Sequence, residues 1–267
     1  MWRGFGTKVR GATHIRNGLP CQDAIRVEAY GETVVAAIAD GHGSAACPYS
    51  DEGSQAAVDC MHELFADIFA GAGAETKDIL ENSRELRLPR QLAAAWRQRV
   101  EEIHNAAREG EPFSYTLYGT TALCVLAAPG YIFALQLGDG DILAVPKKAV
   151  PYRLVETEDM PGNETYSLCL PDCWRHVHTN MIYPKASDSK SKGGTVTYPS
   201  LIMLTTDGYG NSFMTDDGFM KAGVDIRKIL HAEGAEYVEE HLAEWLDRSS
   251  AEGSGDDIAM GLVYSSP

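Results

Sequence analysis

The N-terminal part of the chain alternates short apolar runs with turn-forming residues, which is the pattern of β-strands. Runs at residues 2–12, 24–30 and 33–39 predict three strands. Tyr30-Gly31-Glu32 breaks the pattern between the second and third runs, so these two strands are expected to form a hairpin. The third run ends directly at Asp40, which places a carboxylate at the end of a strand.

Helical spacing replaces this alternation in the next part of the chain. From about Ser44 to Phe69 the apolar residues recur three and four positions apart, and Gly71 and Gly73 predict the end of that helix. A second amphipathic helix is predicted from about Pro89 to Arg108. Further strands are predicted at residues 120–127, 131–136 and 142–145.

The segment at about 146–200 is polar and has no clear period. We expect an irregular insertion here, centred on 186–194, that is either a functional flap or a solvated loop. Regular patterns return with a strand that starts at Leu201, helices at about 217–231 and 236–248, and a strand at 258–264. These elements predict a single α+β domain over residues 1–267, built from two packed sheets flanked by helices.

Bulk composition narrows the possible functions. The chain has 267 residues, a hydrophobic content of 44% and a formal net charge of −15. Because an acidic surface repels nucleic-acid phosphates, we expect no nucleic-acid partner. The apolar runs are far shorter than the roughly 18 residues of a membrane helix, and the N-terminus has no apolar signal region. The prediction is a cytoplasmic protein with no membrane partner.

A small group of cysteines and histidines raises the alternative of zinc. Cys169 and Cys173 are followed closely by His176 and His178. Structural zinc sites combine such ligands, but they need four of them in a suitable spacing. Zinc is therefore kept as a minor alternative for this segment.

Five short acidic motifs follow one another along the chain. They are Gln22-Asp23, Asp40-Gly41-His42-Gly43, Gly138-Asp139-Gly140-Asp141, Thr206-Asp207-Gly208 and Gly255-Asp256-Asp257. A single Asp-Gly is ordinary turn chemistry. Carboxylates that each follow a strand can meet at one edge of a sheet, where they supply the oxygen ligands that hard cations such as Mg²⁺ require. The set as a whole indicates a two-metal phosphoester hydrolase.

This ordered set resembles the metal-dependent protein serine/threonine phosphatases of type 2C. The resemblance includes Gly119-Thr120-Thr121, which is expected to serve close packing, and extends from about Gly11 to Val263. The run from His14 to Ala24 is similar to a bacterial branch of that family. The family's fold is a four-layer α-β-β-α sandwich, with two central antiparallel β-sheets between antiparallel helix pairs, which agrees with the predicted elements.

The resemblance implies a metal-binding role for most of the acidic motifs. By position, Asp40 bridges two Mg²⁺ or Mn²⁺ ions, and Asp207 and Asp256 complete the ligands of the first ion. The Gly41 carbonyl binds the second ion, and Asp23 orients metal-bound waters. A hydroxide that bridges the ions then attacks phosphorus in line.

Two further residues are assigned to the substrate. His42 would lie beside the ions and is expected to protonate the leaving alkoxide. The family's phosphate-binding arginine, five residues before Asp23, would fall on Gly18. The nearby Arg16 is therefore the candidate for the substrate phosphate. His14 is expected to have a structural role.

A third ion is expected to bind weakly, if at all. In the family it is held at positions that correspond to Asp139, Asp207 and Asn211. Asparagine offers a neutral oxygen where a carboxylate would carry charge, which lowers the affinity for a hard cation. Asp141 is close in sequence and could replace the missing acid. Gln22 likewise stands where the family usually has an acidic residue.

Two other functions stay open from sequence alone. The missing arginine favours a phosphatase-like module that senses a partner with weak catalysis, whereas the intact Asp40, Asp207 and Asp256 favour an active enzyme. A hydrolase of small phosphorylated metabolites would use the same centre. The leading prediction is hydrolysis of phosphoserine and phosphothreonine in proteins, opposite a serine/threonine kinase in signalling.

Overall fold

Ten strands account for the two sheets in the part of the chain that the structure describes. The structure is a computed structural model that describes residues 1–72, 75–157, 165–184 and 197–265, except for the side chains of 70–72. The strands are β1 (Trp2–Val9), β2 (Ala24–Tyr30), β3 (Thr33–Ala39), β4 (Ala122–Ala128), β5 (Tyr131–Leu137), β6 (Asp141–Val145), β7 (Tyr152–Arg153), β8 (His178–Ile182), β9 (Leu201–Thr205) and β10 (Ile258–Ser265).

Both sheets are antiparallel and have five strands within the described residues. One has the order β1-β10-β9-β6-β7, and the other has the order β2-β3-β4-β5-β8. The first sheet joins the two ends of the described chain, with Phe5 opposite Leu262. The second contains the predicted hairpin, with Tyr30 opposite Thr33. The acidic motifs follow or precede strands of both sheets.

The helices lie on the outer faces of the sheets or at their edges. They are α1 (Ala12–Asn17), α2 (Ser50–Ala72), α3 (Thr76–Ser83), α4 (Arg87–Ala107), α5 (Asp207–Gly210), α6 (Asp216–Ala232) and α7 (Ala235–Glu252). Three-residue and four-residue 3₁₀ turns occur at Cys173–Arg175 and Tyr115–Tyr118. Apolar positions on α4, such as Leu92 and Trp96, are fully buried, as its amphipathic pattern predicts.

Three apolar clusters separate the four layers. The first contains Met61 and Trp96 and lies between α2, α4 and the β2–β8 sheet. The second contains Ile38 and Leu204 and lies between the two sheets. The third contains Leu242 and lies between the other sheet and α6 and α7. The predicted α-β-β-α sandwich is confirmed, and strands such as β4 are buried on both faces because each sheet is covered on both sides.

Several element predictions are corrected by the structure. The predicted strand 2–12 ends at Val9, and α1 follows it. The helix expected from Ser44 begins at Ser50 and continues to Ala72, and α3 and α5 were not predicted. The segment 146–200 is not uniformly irregular, because it contains β7, a 3₁₀ turn and β8, which pairs with β5. Its expected mobile centre at 186–194, together with Gly73, lies outside the described residues.

None of the helices in the described ranges combines the length and the apolar character that crossing a bilayer requires.

Candidate metal centre

The backbone of Asp40 is fixed by the two threonines that precede β4. Asp40 follows β3 directly, and its N–H donates to Thr121 Oγ1 at 2.9 Å. Its carbonyl accepts from Thr120 Oγ1 at 2.8 Å and from the Thr121 N–H at 2.9 Å. Both threonines are buried. The Gly119-Thr120-Thr121 motif therefore does more than pack closely, because it sets the position of the candidate bridging carboxylate.

The Gly41-His42 segment continues this loop at short distances from neighbouring backbone. A Cβ on Gly41 would lie 2.6 Å from the carbonyl oxygens of Gln22 and Ser50, so any side chain there would force the backbone apart. The Gly41 N–H donates to the Gln22 carbonyl at 3.2 Å, and the His42 N–H donates to the Gly119 carbonyl at 3.0 Å. Glycine at this position thus keeps the loop between β3 and α2 close to the start of β2.

Asp23 is a buried carboxylate that is bound by a threonine from the other sheet. Thr206 Oγ1 donates to Asp23 Oδ2 at 2.6 Å and accepts from the Ala259 N–H at 2.9 Å. Thr206 was not singled out from the sequence. The sequence feature that could have indicated its role is a hydroxyl side chain at the end of a buried strand, directly before Asp207.

Asp207 connects the candidate bridging carboxylate to Asn211. Asp207 begins α5, and its Oδ2 accepts from Asn211 Nδ2 at 3.0 Å. The side chains of Asp207 and Asp40 also lie close enough to interact, and Asp207 raises the pKa of Asp40. Two ionised carboxylates that lie close together in a partly buried region repel each other. The pair therefore marks a position that requires positive charge.

The adjacent residues Asp256 and Asp257 have different surroundings. Asp257 is 3% exposed and accepts from the N–H groups of Gly11 and Gln22, each at 2.6 Å. The Asp256 side chain is 51% exposed, and its Oδ1 accepts from the Asp257 N–H at 2.8 Å. Asp257 ties the N-terminal segment to β10, a role that the sequence prediction missed. The sequence feature that could have indicated this role is a second carboxylate directly before a buried strand.

Burial is the main cause that raises the pKa of three carboxyl groups in the acidic cluster, which consists of Asp23, Asp40, Asp139, Asp207 and Asp256. Burial raises the pKa of Asp23 and of Asp40 well above the usual range, and neighbouring carboxylates raise both further. Burial also raises the pKa of Asp207; Asp40 and the hydrogen bond from Asn211 oppose this shift, while Asp139 and Asp256 add to it. Negative charges crowded in a buried region favour a bound cation. The structure thus brings the predicted acidic residues into one electrostatic cluster.

Asp139 and Asp141 lie at the same turn, but their side chains contact different residues. Asp139 is exposed and accepts a hydrogen bond from Thr165 Oγ1. Asp141 forms an ion pair with Arg153, which also pairs with Asp216 at 2.6 Å. Burial raises the pKa of Asp141, and Arg153 opposes that shift. Because its carboxylate is already held by Arg153, Asp141 is poorly placed to replace the missing acid at the third-ion position.

Arg16 lies beside the cluster in sequence but is bound to its own helix. It is exposed on α1, and its Nη2 donates to Thr13 Oγ1 at 2.8 Å. The backbone of that helix is anchored near the cluster, because the Thr13 N–H donates to the Gly255 carbonyl at 2.8 Å. The assignment of Arg16 to the substrate phosphate stays a prediction.

His42 fills the space beside the turn that precedes β4. A Cβ on Gly119 would lie 2.8 Å from His42 Cδ2, so glycine makes room for the imidazole ring. Burial lowers the pKa of His42, and Asp139 acts in the opposite direction. A ring with a lowered pKa gives up its proton readily but holds it in a minority of molecules at pH 7. Its general-acid role stays a prediction.

Across the described ranges, no three His, Cys, Asp or Glu side chains are arranged around one point as ligands of a metal ion. The donor set still fits a hard divalent cation in its chemistry, because it consists of carboxylate oxygens. Side-chain rotation would be needed for these oxygens to converge. The zinc alternative at Cys169, Cys173, His176 and His178 gains no support, and the His176 ring instead stacks on Tyr166 at 4.0 Å.

Comparison with solved structures shows the same fold in bacterial phosphatases. The chain is similar to serine/threonine phosphatase Stp1 from Staphylococcus aureus, with a TM-score of 0.62 at 14% identity over 100% of this chain and 96% of that chain. It is also similar to PppA, a key regulatory component of T6SS in Pseudomonas aeruginosa, with a TM-score of 0.61 at 16% identity over 98% and 97% of the two chains. The catalytic domain of PstP in complex with two manganese ions gives a TM-score of 0.57 at 16% identity over 98% and 97%.

The family of the chain follows from a match to a sequence profile. The profile of protein phosphatase 2C matches residues 10–247, so the chain belongs to the protein phosphatase 2C family. The predicted resemblance, and with it the prediction of a serine/threonine protein phosphatase, is confirmed at the level of the family. No curated protein sequence matches the chain.

Proposed function

We propose that the protein hydrolyses phosphoserine and phosphothreonine in proteins at a centre that holds two divalent cations. The observation that carries the proposal is the approach of the Asp40 and Asp207 carboxyl groups to each other, where Asp23 and Asp139 lie near enough to raise the pKa of Asp40. Membership of the protein phosphatase 2C family supports phosphoprotein substrates and divalent metals in general.

The proposed ligands are oxygen donors from both sheets. Asp40 would contact both ions, Asp207 and Asp256 the first, and the Gly41 carbonyl the second. When bound, Mg²⁺ or Mn²⁺ ions supply an activated water and neutralise phosphoryl charge. Asp23, fixed by Thr206, would orient waters by hydrogen bonding.

The remaining predicted residues would act on the substrate. Arg16 would bind phosphate oxygens after it leaves Thr13 Oγ1, since a guanidinium matches a phosphate group by two parallel hydrogen bonds. His42 would hold the proton that the leaving alkoxide takes. Asp139 would contribute to a weak third ion.

The proposed location of this activity is the cytoplasm. The cysteines are all free thiols, which fits a reducing compartment such as the cytoplasm. A protein phosphatase there would oppose a serine/threonine kinase.

The decisive experiment is an assay on phosphopeptides and on p-nitrophenyl phosphate with Mn²⁺, Mg²⁺ or chelator. We expect hydrolysis of both substrates with metal and none with chelator. Full activity in metal-free protein would overturn the metal assignment. Mn²⁺ binding without hydrolysis would indicate a sensing module, and hydrolysis restricted to small phosphate esters would indicate a metabolite phosphatase.

A further inference from the structure

His14 lies between the two adjacent carboxylates that precede β10. Its Nδ1 is 2.8 Å from Asp257 Oδ2, and its Nε2 is 3.6 Å from Asp256 Oδ1. The side chain is largely enclosed, with 13% of its surface exposed. The two ring nitrogens therefore face one buried carboxylate and one exposed carboxylate.

Asp257 is the nearer of the two carboxylates and is itself held in place. Its carboxylate is anchored by two short hydrogen bonds from the backbone of Gly11 and Gln22, so it cannot rotate freely. Nδ1 lies 2.8 Å from Oδ2 of this anchored group, although the contact does not meet the geometry of a hydrogen bond. A histidine held by a carboxylate on one nitrogen presents its other nitrogen in a defined direction, as in many metal sites.

The other nitrogen, Nε2, faces the acidic cluster. A Cβ on Gly43 would lie 2.8 Å from Gln22 Oε1 and 3.7 Å from His14 Nε2, so both atoms border the same small space beside the Gly41–Gly43 loop. Gln22 is 7% exposed, and its Nε2 donates to Ser50 Oγ at 2.9 Å. Its Oε1 is buried and has no hydrogen-bond partner among the described residues. A buried acceptor of this kind calls for a donor from outside the chain.

We propose that His14 is a positioning residue of the metal centre: Asp257 fixes the ring, and the ring holds Asp256 in the orientation that binds a cation. The inference rests on the proposed function of this site. Asp256 Oδ1 already accepts from the Asp257 N–H, and the ring adds a second contact to this exposed carboxylate, which loses rotational freedom when it binds an ion. Gln22 Oε1, which borders the same space beside Gly43, then accepts from a water of the bound ion.

Two substitutions at His14 distinguish the contribution of Nδ1 from that of Nε2. His14→Asn keeps an N–H near the position of Nδ1, and so keeps the contact with Asp257, but removes Nε2. His14→Ala removes both contacts. Mn²⁺ affinity is measured by titration calorimetry, and thermal unfolding in chelator reports stability. The matched control is His62→Asn, because His62 is also a buried histidine near a carboxylate, 3.7 Å from Glu28, but packs against β2 in the other sheet.

We expect His14→Asn to unfold near the wild-type temperature while it binds Mn²⁺ about 10-fold or more weakly, the range found for groups that orient metal ligands. His14→Ala should lose both affinity and stability, and His62→Asn should lose stability alone. Wild-type Mn²⁺ affinity in His14→Asn would overturn the inference. In an Asp256→Ala background, His14→Asn should cause no further loss, because both act on one ligand. Wild-type protein that binds no Mn²⁺ would instead overturn the proposed function.

Discussion

Thr206 Oγ1 donates a hydrogen bond to Oδ2 of Asp23 at 2.6 Å and joins the two sheets at the edge where the carboxylates collect. The preceding residue, Thr205, is equally buried, but its Oγ1 has no partner among the described residues. Of these two adjacent buried threonines, Thr206 thus has a hydroxyl that is hydrogen-bonded to a side chain, and Thr205 has one without a described partner. This difference provides a direct test of what holds Asp23 in place.

We expect Thr206→Val to lower the free energy of unfolding by about 2 kcal/mol, because a buried carboxyl group loses its hydrogen bond. Thr205→Val removes a hydroxyl that has no described partner and should change the free energy of unfolding by less than about 1 kcal/mol in either direction. Urea unfolding of both variants in chelator provides the measurement. Equal losses for the two variants would show that the Thr206–Asp23 bond contributes little.

Asp40→Asn should have opposite effects on activity and on metal-free stability. Loss of the shared ligand removes several kcal/mol of transition-state stabilisation, so turnover should fall about 10³-fold or more. In chelator the variant should melt at a higher temperature than wild type, because one of the crowded buried carboxylates becomes neutral. Steady-state kinetics with Mn²⁺ and thermal unfolding in chelator test the two parts separately. Near-normal turnover would remove Asp40 from the centre.

Asn211→Asp should create or tighten a third metal site. In the structure Asn211 donates its amide N–H to Asp207, so it adds no charge to the ligand set there. An aspartate would add a charged oxygen beside Asp139 and Asp207 and raise affinity for a hard cation. Titration calorimetry with Mn²⁺ on wild type, Asn211→Asp and Asp139→Ala gives the number and affinity of sites. Three equally tight ions in wild type, unaffected by Asp139→Ala, would contradict this account.

Arg16→Ala should raise KM for a phosphopeptide about 10-fold, with a smaller change in kcat. Its guanidinium is bound to Thr13 by a single exposed hydrogen bond, which is easily exchanged for a phosphate. Arg248→Ala serves as the control, since Arg248 is an exposed arginine on α7 that pairs with Glu244 at 2.8 Å. An unchanged KM in Arg16→Ala would leave Arg16 as a surface residue.

His62 should make stability fall in mild acid. Burial lowers the pKa of His62, so the unfolded chain binds the proton more tightly than the folded one. Its contribution is fully present above the unfolded-state pKa of about 6.5 and is lost as pH falls through the folded-state pKa. Urea unfolding at pH 7.5 and pH 5 should show a larger loss for wild type than for His62→Gln. Equal losses would mean that His62 does not contribute to the pH dependence.

Local sequence patterns predicted the elements whose burial is regular. The spacing of Leu92, Trp96 and Val100 indicated α4, because one face of that helix packs on the core. The edge strand β8 was missed, since His178–Ile182 is half-buried at every position and shows no alternation. The short helix α1 was missed because it has no side-chain cap and depends on the Thr13–Gly255 contact with the far end of the chain.

The site was predictable to the extent that its residues occur in family motifs. Asp40, Asp207 and Asp256 were placed by motif order, and the structure brings their charges together. The contacts of Asp257 with Gly11 and His14 could not be read from local patterns, because they join residues more than 200 positions apart in a fold of two sheets.

The pairing of β1 with β10 has a consequence for biosynthesis. The Gly11–Asp257 and Thr206–Asp23 bonds join residues 246 and 183 positions apart, so the acidic cluster has no local nucleus that could form early. As the ribosome extends the chain, β2 to β5 can pair with one another long before Asp256 and Asp257 have been translated. The candidate cation site is then among the last parts of the molecule to assemble, and a nascent chain that stops before Asp256 lacks part of it.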